Sequence, residues 1–316
     1  MPGSYLVVGG AGFIGSHFVK ELLDRKKNLV RVVDNLCSGT LGHIDEFMEN
    51  PAFEFVKIEV QNTEDLIKSM EGIETVIHLA SNPDIARAAA EPRIDFIQGT
   101  ALTESVAEAA RVSGIKTILY ASGSGVYGDA GHLLLSEDSP INPISTYGAS
   151  KLAGEALLAS YSFMFGMKCL VFRFANVVGP KQTHGVGYDF LRRLKFDSTS
   201  LEILGNGEQN KSYIHVTDIV RGVLDLEEKI PSGFDVFNIS TSDQITVNEI
   251  AKLAEVTLGI DPNSVKHVYS GGDRGWKADV PVVKLSAEKI SKFGWTPKYN
   301  SYEAMSLALE SMAKTL

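Results

Sequence analysis

The chain is poor in the residues that announce several common functions. Its 316 residues include only two cysteines and two tryptophans. Cys37 and Cys169 are far apart and neither has a neighbour at metal-ligand spacing, so both are expected as reduced thiols. Among the histidines, His78, His184 and His215 fit packing or capping roles, and no pair has zinc-ligand spacing. No apolar run reaches the roughly 18–20 residues that a membrane helix needs. The opening stretch MPGSYLVVGG has no basic region and no cleavage site, so no signal peptide is expected and a cytoplasmic location is. There is no internal repeat and no low-complexity tract. Basic charge is also short: 30 Lys and Arg face 39 Asp and Glu, a net charge of −9. That balance argues against a nucleic-acid surface but leaves room for anionic small ligands in local pockets. Metal, membrane and nucleic acid are therefore not expected as partners.

What remains is ordinary for a soluble globular protein. Hydrophobic residues make up 44% and charged residues 22%, and the length allows a sizeable core. The first half alternates strand and helix signals. Apolar runs at 5–9, 29–34, 53–60, 75–80, 117–122 and 170–179 read as strands. Between them, 13–25 places Phe13, Ile14, Phe18, Leu22 and Leu23 on one helical face. Residues 93–113 form a second helix candidate. Residues 145–166 form a long one, with Ser145 as N-cap and Gly166 at its end. Strands separated by helices predict parallel pairing, so the fold class is α/β with a doubly wound parallel sheet. After about residue 180 the pattern loosens, with helical pieces at 187–197, 216–229 and 247–258. Residues 1–180 are expected as the main domain, with some later segments returning to it. Residues 181–316 are expected mainly as a smaller C-terminal α/β lobe.

VVGGAGFIGSH carries Gly9, Gly12 and Gly15 between a strand and a helix. The bare pattern is weak, but this context gives it meaning. Gly9 suits a tight turn, Gly12 lets backbone approach a pyrophosphate, and Gly15 lets helix pack on strand. The helix N-terminus offers free N–H groups to phosphate. Asp34 ends the second strand, where a carboxylate accepts from a ribose 2′-hydroxyl and repels a 2′-phosphate. No arginine follows in DNLCSG, so NAD is expected rather than NADP.

YGASK sets Tyr147 and Lys151 four residues apart, on one face of a helix. A free phenol titrates near ~10, too high for a base at neutral pH. A nearby ammonium and a positive nicotinamide ring are expected to favour the phenolate and make it a working acid or base.

These motifs, with VVDNL, HLA, VYG, RFANVVGP, KSYIHVTDIV and GWTPK in order, resemble the extended short-chain dehydrogenase/reductases of the nucleotide-sugar epimerase/dehydratase family. The resemblance covers nearly the whole chain. It implies a Rossmann domain with a nucleotide-sugar-binding lobe. Gly9, Gly12 and Gly15, with Phe13 and Ile14, then hold the pyrophosphate of NAD. Asp34 and Asn35 hold the adenosine ribose, and Glu59 with Val60 bracket adenine where the family more often has Asp. Leu79 and Ala80 lie along the cofactor. Ser38, Gly39, Ser122 and Phe174 are expected at the cofactor too. Tyr147 and Lys151 match the catalytic pair, and Lys151 also holds the nicotinamide ribose. Asn176, Lys211 and Arg274 are expected at the substrate diphosphate, with Lys211 in place of the family's usual arginine.

Two departures bear on mechanism. In ASGSGVYG, residues 121–128, the family's catalytic Ser or Thr falls on Gly123. Ser124 is expected to swing in as catalytic and substrate-binding hydroxyl, with Ser122 next and a water as a third option. Helix 93–113 carries Gln98 and Gly99 where an asparagine is usual. The expected reaction is 4-epimerisation of a nucleotide sugar, a UDP-hexose first, through a transient 4-keto sugar. Dehydratases of the family carry an Asp-Glu pair before V-Y-G, and here those positions are Ser124 and Gly125. Another enzyme starting from a 4-keto sugar, of the UDP-glucuronate decarboxylase or dehydratase type, is the alternative. A non-catalytic NAD-binding scaffold is a second one. A homodimer through helices 93–113 and 145–166 is implied by the resemblance, with Ala149, Leu152, Ala153, Ala156 and Leu157 giving a small, apolar face.

Overall fold

A computed structural model describes residues 3–84 and 87–316. Strands β1 (Ser4–Val8), β2 (Leu29–Asp34), β3 (Phe53–Lys57), β4 (Thr75–His78), β5 (Thr117–Gly123) and β6 (Lys168–Phe174) join the strand Phe234–Ile239 in one seven-stranded sheet. Its spatial order is Phe234–Ile239, β6, β5, β4, β1, β2, β3. The pairs β1–β2, β2–β3, β1–β4 and β4–β5 are parallel. The order reverses at β1, so the chain builds one half outward to β3 and returns to build the other from β4. This is the doubly wound sheet expected. Its ligand edge lies beyond the carboxyl ends of β1 and β4, where the order switches. β4 is buried along its whole length, which is why a central parallel strand carries no polar alternation.

Helix α1 (Phe13–Asp24) buries Gly15, Ser16, Phe18, Val19 and Leu22, the 3.6-residue stripe of a sheet-facing helix. The helix Thr146–Phe165 starts where the Ser145 side chain accepts from Gly148 N–H and stops at Gly166, whose φ is +67°. It lies so close to β5 that a Cβ on Gly154 would collide with the Tyr120 ring. Residues 93–112 are helical throughout, but Phe96–Ala101 is a π segment between Arg93–Asp95 and Leu102–Val112. Leu6, Val8, Val76, Val106, Ile118, Leu158 and Val171 meet in one core cluster. Each such burial stabilises by about 1.5–3 kcal/mol.

Two strand expectations change. The third strand ends at Lys57, leaving Glu59 and Val60 in the following turn. The run 170–179 is two strands. Ala175 N–H donates to Ile239 O, and one residue later Asn176 N–H donates to Ser212 O. Asn176–Val178 therefore pairs in parallel with Tyr213–His215 in a separate sheet.

The chain forms two compact units. The first takes the chain up to Val126, with Ser145–Arg173 and Val220–Phe237. The second takes Tyr127–Ile144, Phe174–Ile219 and Asn238–Leu316. Its helices Val186–Phe196, Val247–Thr257 and Ser301–Thr315 surround a core of Leu191, Leu194, Ile250, Ala254, Met305 and Leu309. Its strands are short: Asn210–Lys211 lies between Ile245–Thr246 and Val282–Val283. Among the described residues no helix is long and apolar enough to cross a membrane. Cys37 is exposed and Cys169 buried, both as free thiols, and burial pushes the Cys169 thiol up to about 12.

Candidate active site

The first unit gathers most of the expected residues at the carboxyl ends of β1, β2, β4 and β5. Gly9 follows β1 with φ +84°, and a Cβ there would lie 2.8 Å from the Ala80 nitrogen. Only glycine meets both demands. A Cβ on Gly15 would run into the Gly9 carbonyl, so this glycine sets how closely α1 seats on the loop. Gly12 is the N-cap of α1 and supplies no side-chain bond. The first-turn N–H groups of Phe13, Ile14 and Gly15 therefore have no helical acceptor, which is the arrangement that receives phosphate.

Asp34 sits at the end of β2. Its carboxylate accepts from Ala11 N–H at 3.0 Å and Leu36 N–H at 2.8 Å. Burial raises its pKa, while those two donors and the His43 charge oppose the rise. A Cβ on Gly39 would lie 3.0 Å from the Asp34 carboxylate, so this turn folds directly over the acid, with Ser38 exposed beside it. Asn35 donates to Glu59 at 3.0 Å, which brings Glu59 to the same edge. Val60 is buried in the core cluster. Leu79 and Ala80 both donate backbone N–H to Val8 O at 3.0 Å, tying the end of β4 to the end of β1. An N–H cradle, a fixed carboxylate and an adjacent turn fit a dinucleotide's pyrophosphate and ribose. Arg31 is engaged with Glu54 at 2.6 Å, so it is not offered to a 2′-phosphate.

Tyr147 and Lys151 share one face of the helix Thr146–Phe165. The Lys151 ammonium is 5.6 Å from the Tyr147 ring centre and 5.2 Å from that of Tyr120. It donates to Ala121 O at 2.8 Å. Burial pulls its pKa down to about 8 against the pull of Glu155 and Asp95. The Tyr147 phenol runs against expectation. Burial pushes it up to about 12, Asp95 adds to the rise, and the Ser81 hydroxyl opposes it. In the protein alone, desolvation of the phenolate outweighs the hydroxyl that favours it. His78 is held neutral by burial, its pKa near 3, and its Nε2 meets Thr103 at 3.0 Å.

The serines around Gly123 differ sharply. Ser122 donates to Glu155 at 2.5 Å, and Glu155 is held by Arg173 at 2.7 and 3.0 Å. All three are buried, so Ser122 is a structural partner rather than a free hydroxyl. Ser124 opens the short 3-10 turn Ser124–Val126 and makes no side-chain hydrogen bond among the described residues. Gly125 lies against the helix Thr146–Phe165: a Cβ there would be 3.6 Å from Gly148 Cα and 3.9 Å from the Tyr147 ring.

Sequence reasoning missed four residues. Asn82 donates to Asp95 at 2.8 Å, and Thr146 donates to the other oxygen at 2.7 Å. Asp95 thereby links the segment after β4 to the start of the helix Thr146–Phe165. Ser81, whose hydroxyl opposes the rise of the Tyr147 phenol, is the fourth. The polar run SNPD after HLA was the one signal in the sequence for Ser81 and Asn82.

In the second unit, Phe174 is buried and Asn176 donates its side-chain amide to Ser212 O at 3.1 Å. The two expected diphosphate cations converge on one residue. Lys211 pairs with the Asp279 carboxylate at 2.5 Å, and Arg274 donates to Asp279 O at 3.3 Å. Arg274 also pairs with Asp129 at 2.7 Å. Neither is a loose surface charge. Among the described residues no cluster of His, Cys, Asp or Glu is placed to hold a metal.

The chain is similar to known proteins over most of its length. The model of the NAD dependent epimerase/dehydratase family matches residues 5–240. The UDP-glucose 4-epimerase of Mycolicibacterium smegmatis is 32% identical over 313 residues, spanning 96% of this chain and 97% of that one. A crystal structure of a UDP-galactose 4-epimerase superposes with a TM-score of 0.86 at 36% identity, covering 99% of both chains. The Thermotoga maritima UDP-glucose 4-epimerase, solved with UDP-glucose, gives 0.88 at 31% identity, again over 99% of both. Fold, glycine cradle and Tyr–Lys helix thus lead to one conclusion: the chain belongs to the NAD dependent epimerase/dehydratase family of enzymes, with NAD as its cofactor.

Proposed function

We propose that this protein is a nucleotide-sugar 4-epimerase whose first substrate class is UDP-hexose, with Tyr147 as its acid and base. The observation that carries the reading is the Lys151 ammonium held at Ala121 O, 5.6 Å from the Tyr147 ring. With its pKa near 8, Lys151 is mostly protonated at neutral pH and supplies a fixed positive charge to a developing phenolate. Bound NAD supplies the hydride acceptor and a second positive charge. Tyr147 takes the proton of the sugar 4-hydroxyl and returns it when the alcohol re-forms on the opposite face. A 4-keto sugar lies between the two events. Gly9, Gly12, Phe13, Ile14 and Gly15 would hold the pyrophosphate of NAD. Asp34 and Asn35 would hold its ribose, and Ser38, Gly39, Glu59, Val60, Leu79 and Ala80 would line it.

Ser124 and Gly125 stand where the family's dehydratases carry an acid pair. Without a second acid and base, elimination of water has no agent, which favours epimerisation. Asn176, Lys211 and Arg274 are the proposed diphosphate ligands. A diphosphate there competes with Asp279 and Asp129 for the two cations, so this subsite is built to accept and release. Relatives named UDP-glucose 4-epimerase support UDP as the nucleotide. The test is incubation with UDP-, dTDP-, GDP- and CDP-sugars, read by NMR. The reading expects interconversion at C4 of a UDP-hexose with no added oxidant. Release of water, or of carbon dioxide from UDP-glucuronate, would replace it with the alternative chemistry.

A homodimer is proposed on the same helices as before. Ala149, Leu152, Ala153, Ala156 and Leu157 are not buried in the chain. Phe96, Phe163 and Met164, exposed by 58, 93 and 68%, add a larger apolar face. Sedimentation at micromolar concentration giving a monomer would refute it.

A further inference from the structure

One buried carboxylate serves two buried cations. On the helix Thr146–Phe165, Glu155 follows Lys151 by four residues, so the two side chains leave the same face one turn apart. They end on consecutive residues of β5. Lys151 donates to Ala121 O at 2.8 Å, and the Glu155 carboxylate accepts from the Ser122 hydroxyl at 2.5 Å. From β6, Arg173 donates to both Glu155 oxygens, at 3.0 and 2.7 Å. Lys151, Glu155 and Arg173 are 3, 4 and 3% exposed, so water screens none of the three charges. The Lys151 hydrogen bond is to a neutral carbonyl and brings no counter-charge. Other groups face Lys151 from the elements around it. His78 of β4 is held neutral, and Tyr120 of β5 and Tyr147 present their rings. Asp95 is tied to Asn82 and Thr146. Burial lowers the Lys151 pKa, and Glu155, ahead of Asp95, opposes it.

We propose that Glu155 is a positioning residue that keeps Lys151 charged, with Arg173 as the second cation that limits its pull. This part is additional to the bonds by which Ser122, Glu155 and Arg173 join the helix to β5 and β6. It rests on the proposed roles of Tyr147 and Lys151. Clamped by Arg173 and Ser122, the carboxylate stays one turn from the ammonium instead of closing on it. Lys151 is thereby left facing Tyr147. Two cations and one carboxylate leave the group one positive charge, the sign that a developing phenolate requires.

The test follows the Lys151 ammonium by NMR in protein with its bound NAD and with the lysine Cε carbons isotope-labelled. The resonance is assigned by its loss in Lys151→Met, and no substrate is needed. Wild type, Glu155→Gln, Arg173→Met and the double variant are compared. Glu155→Gln removes the negative charge and keeps the shape. It is expected to lower the Lys151 transition by at least about one pH unit, a tenfold loss of proton affinity. Arg173→Met removes a positive charge and raises the transition. The double variant removes one charge of each sign, so its transition returns towards wild type and much of the lost stability returns with it. A purely structural set would lower stability in the single variants and leave the transition where it was. With UDP-galactose as probe, the alkaline limit of the kcat profile moves with the Lys151 transition while KM changes little. An unmoved transition in Glu155→Gln, or an equal fall in the double variant, overturns the role of Glu155 and leaves Tyr147 and Lys151 in theirs. Full turnover by Lys151→Met overturns the underlying reading instead. Circular dichroism and NAD content check that each variant is folded. Should Glu155→Gln fold poorly, the double variant must titrate at least about one unit below Arg173→Met, and equal transitions in those two overturn the proposal.

Discussion

Lys151 donates to the Ala121 carbonyl at 2.8 Å, so strand β5 holds the ammonium in place near its end. The bond joins a helix to a strand end, and it keeps a charge in a site where charge is costly. Burial has already brought the lysine from its ordinary value to about 8.

That cost has a sign. Below about pH 8 the folded protein carries a buried ammonium. As pH rises from about 8 to 10.5 the folded lysine loses its proton while the unfolded one keeps it, so this group makes stability rise with pH. Lys151→Met is therefore expected to melt no lower than wild type at pH 7, with turnover reduced by at least ~100-fold. Calorimetry across this pH range should see the gap in stability between the two shrink. A Lys151→Met protein clearly less stable at pH 7 would contradict this.

Tyr147 gives a second pH effect. Burial pushes its phenol up to about 12 in the protein alone. A positive charge brought by NAD favours the phenolate, so binding is expected to release a proton and to tighten as pH rises. Calorimetric titrations in buffers of different ionisation enthalpy measure that proton. Binding that takes up protons, or the same release from Tyr147→Phe, would argue against the coupling.

The buried set Ser122, Glu155 and Arg173 is structural. Glu155→Ala leaves Arg173 without its carboxylate and is expected to cost about 3–5 kcal/mol. Ser122→Ala removes one hydrogen bond and should cost only ~1–2 kcal/mol. Urea unfolding curves rank the two, and equal costs would show that Arg173 finds another partner.

Gly99 lies in the π segment, where an added Cβ would stand 2.5 Å from Ser150 Oγ. Gly99→Ala is expected to destabilise by about 1–3 kcal/mol. Ser150→Gly in the same chain should return much of the loss, since it removes the atoms in the way. A double variant no more stable than Gly99→Ala places the strain elsewhere.

Much of this frame is legible in the sequence because its causes are local. Glycine spacing, the acid ending β2, the caps Ser145 and Gly166, and the i, i+4 pair Tyr147 and Lys151 act through neighbouring residues. What hides is set by distant pairing. Asn176 leaves the main sheet because Ser212 replaces Ile239 as the backbone partner, and the apolar run 170–179 carries no mark of that change. Ser122 looks like an available hydroxyl until Glu155 and Arg173 arrive from other elements. The phenol's upward shift likewise depends on burial by residues that no motif includes. The helix Ser301–Thr315 was missed although its capping box, Asn300 with Glu303, is local, because no apolar run announced it.

The most direct test is Tyr147→Phe assayed on UDP-galactose and UDP-glucose by NMR, with bound NAD measured in the same samples. The account predicts that wild type equilibrates the two sugars without added oxidant. It predicts that Tyr147→Phe keeps its NAD and loses turnover by at least about 100-fold. A Tyr147→Phe protein that turns over either sugar at the wild-type rate would contradict it.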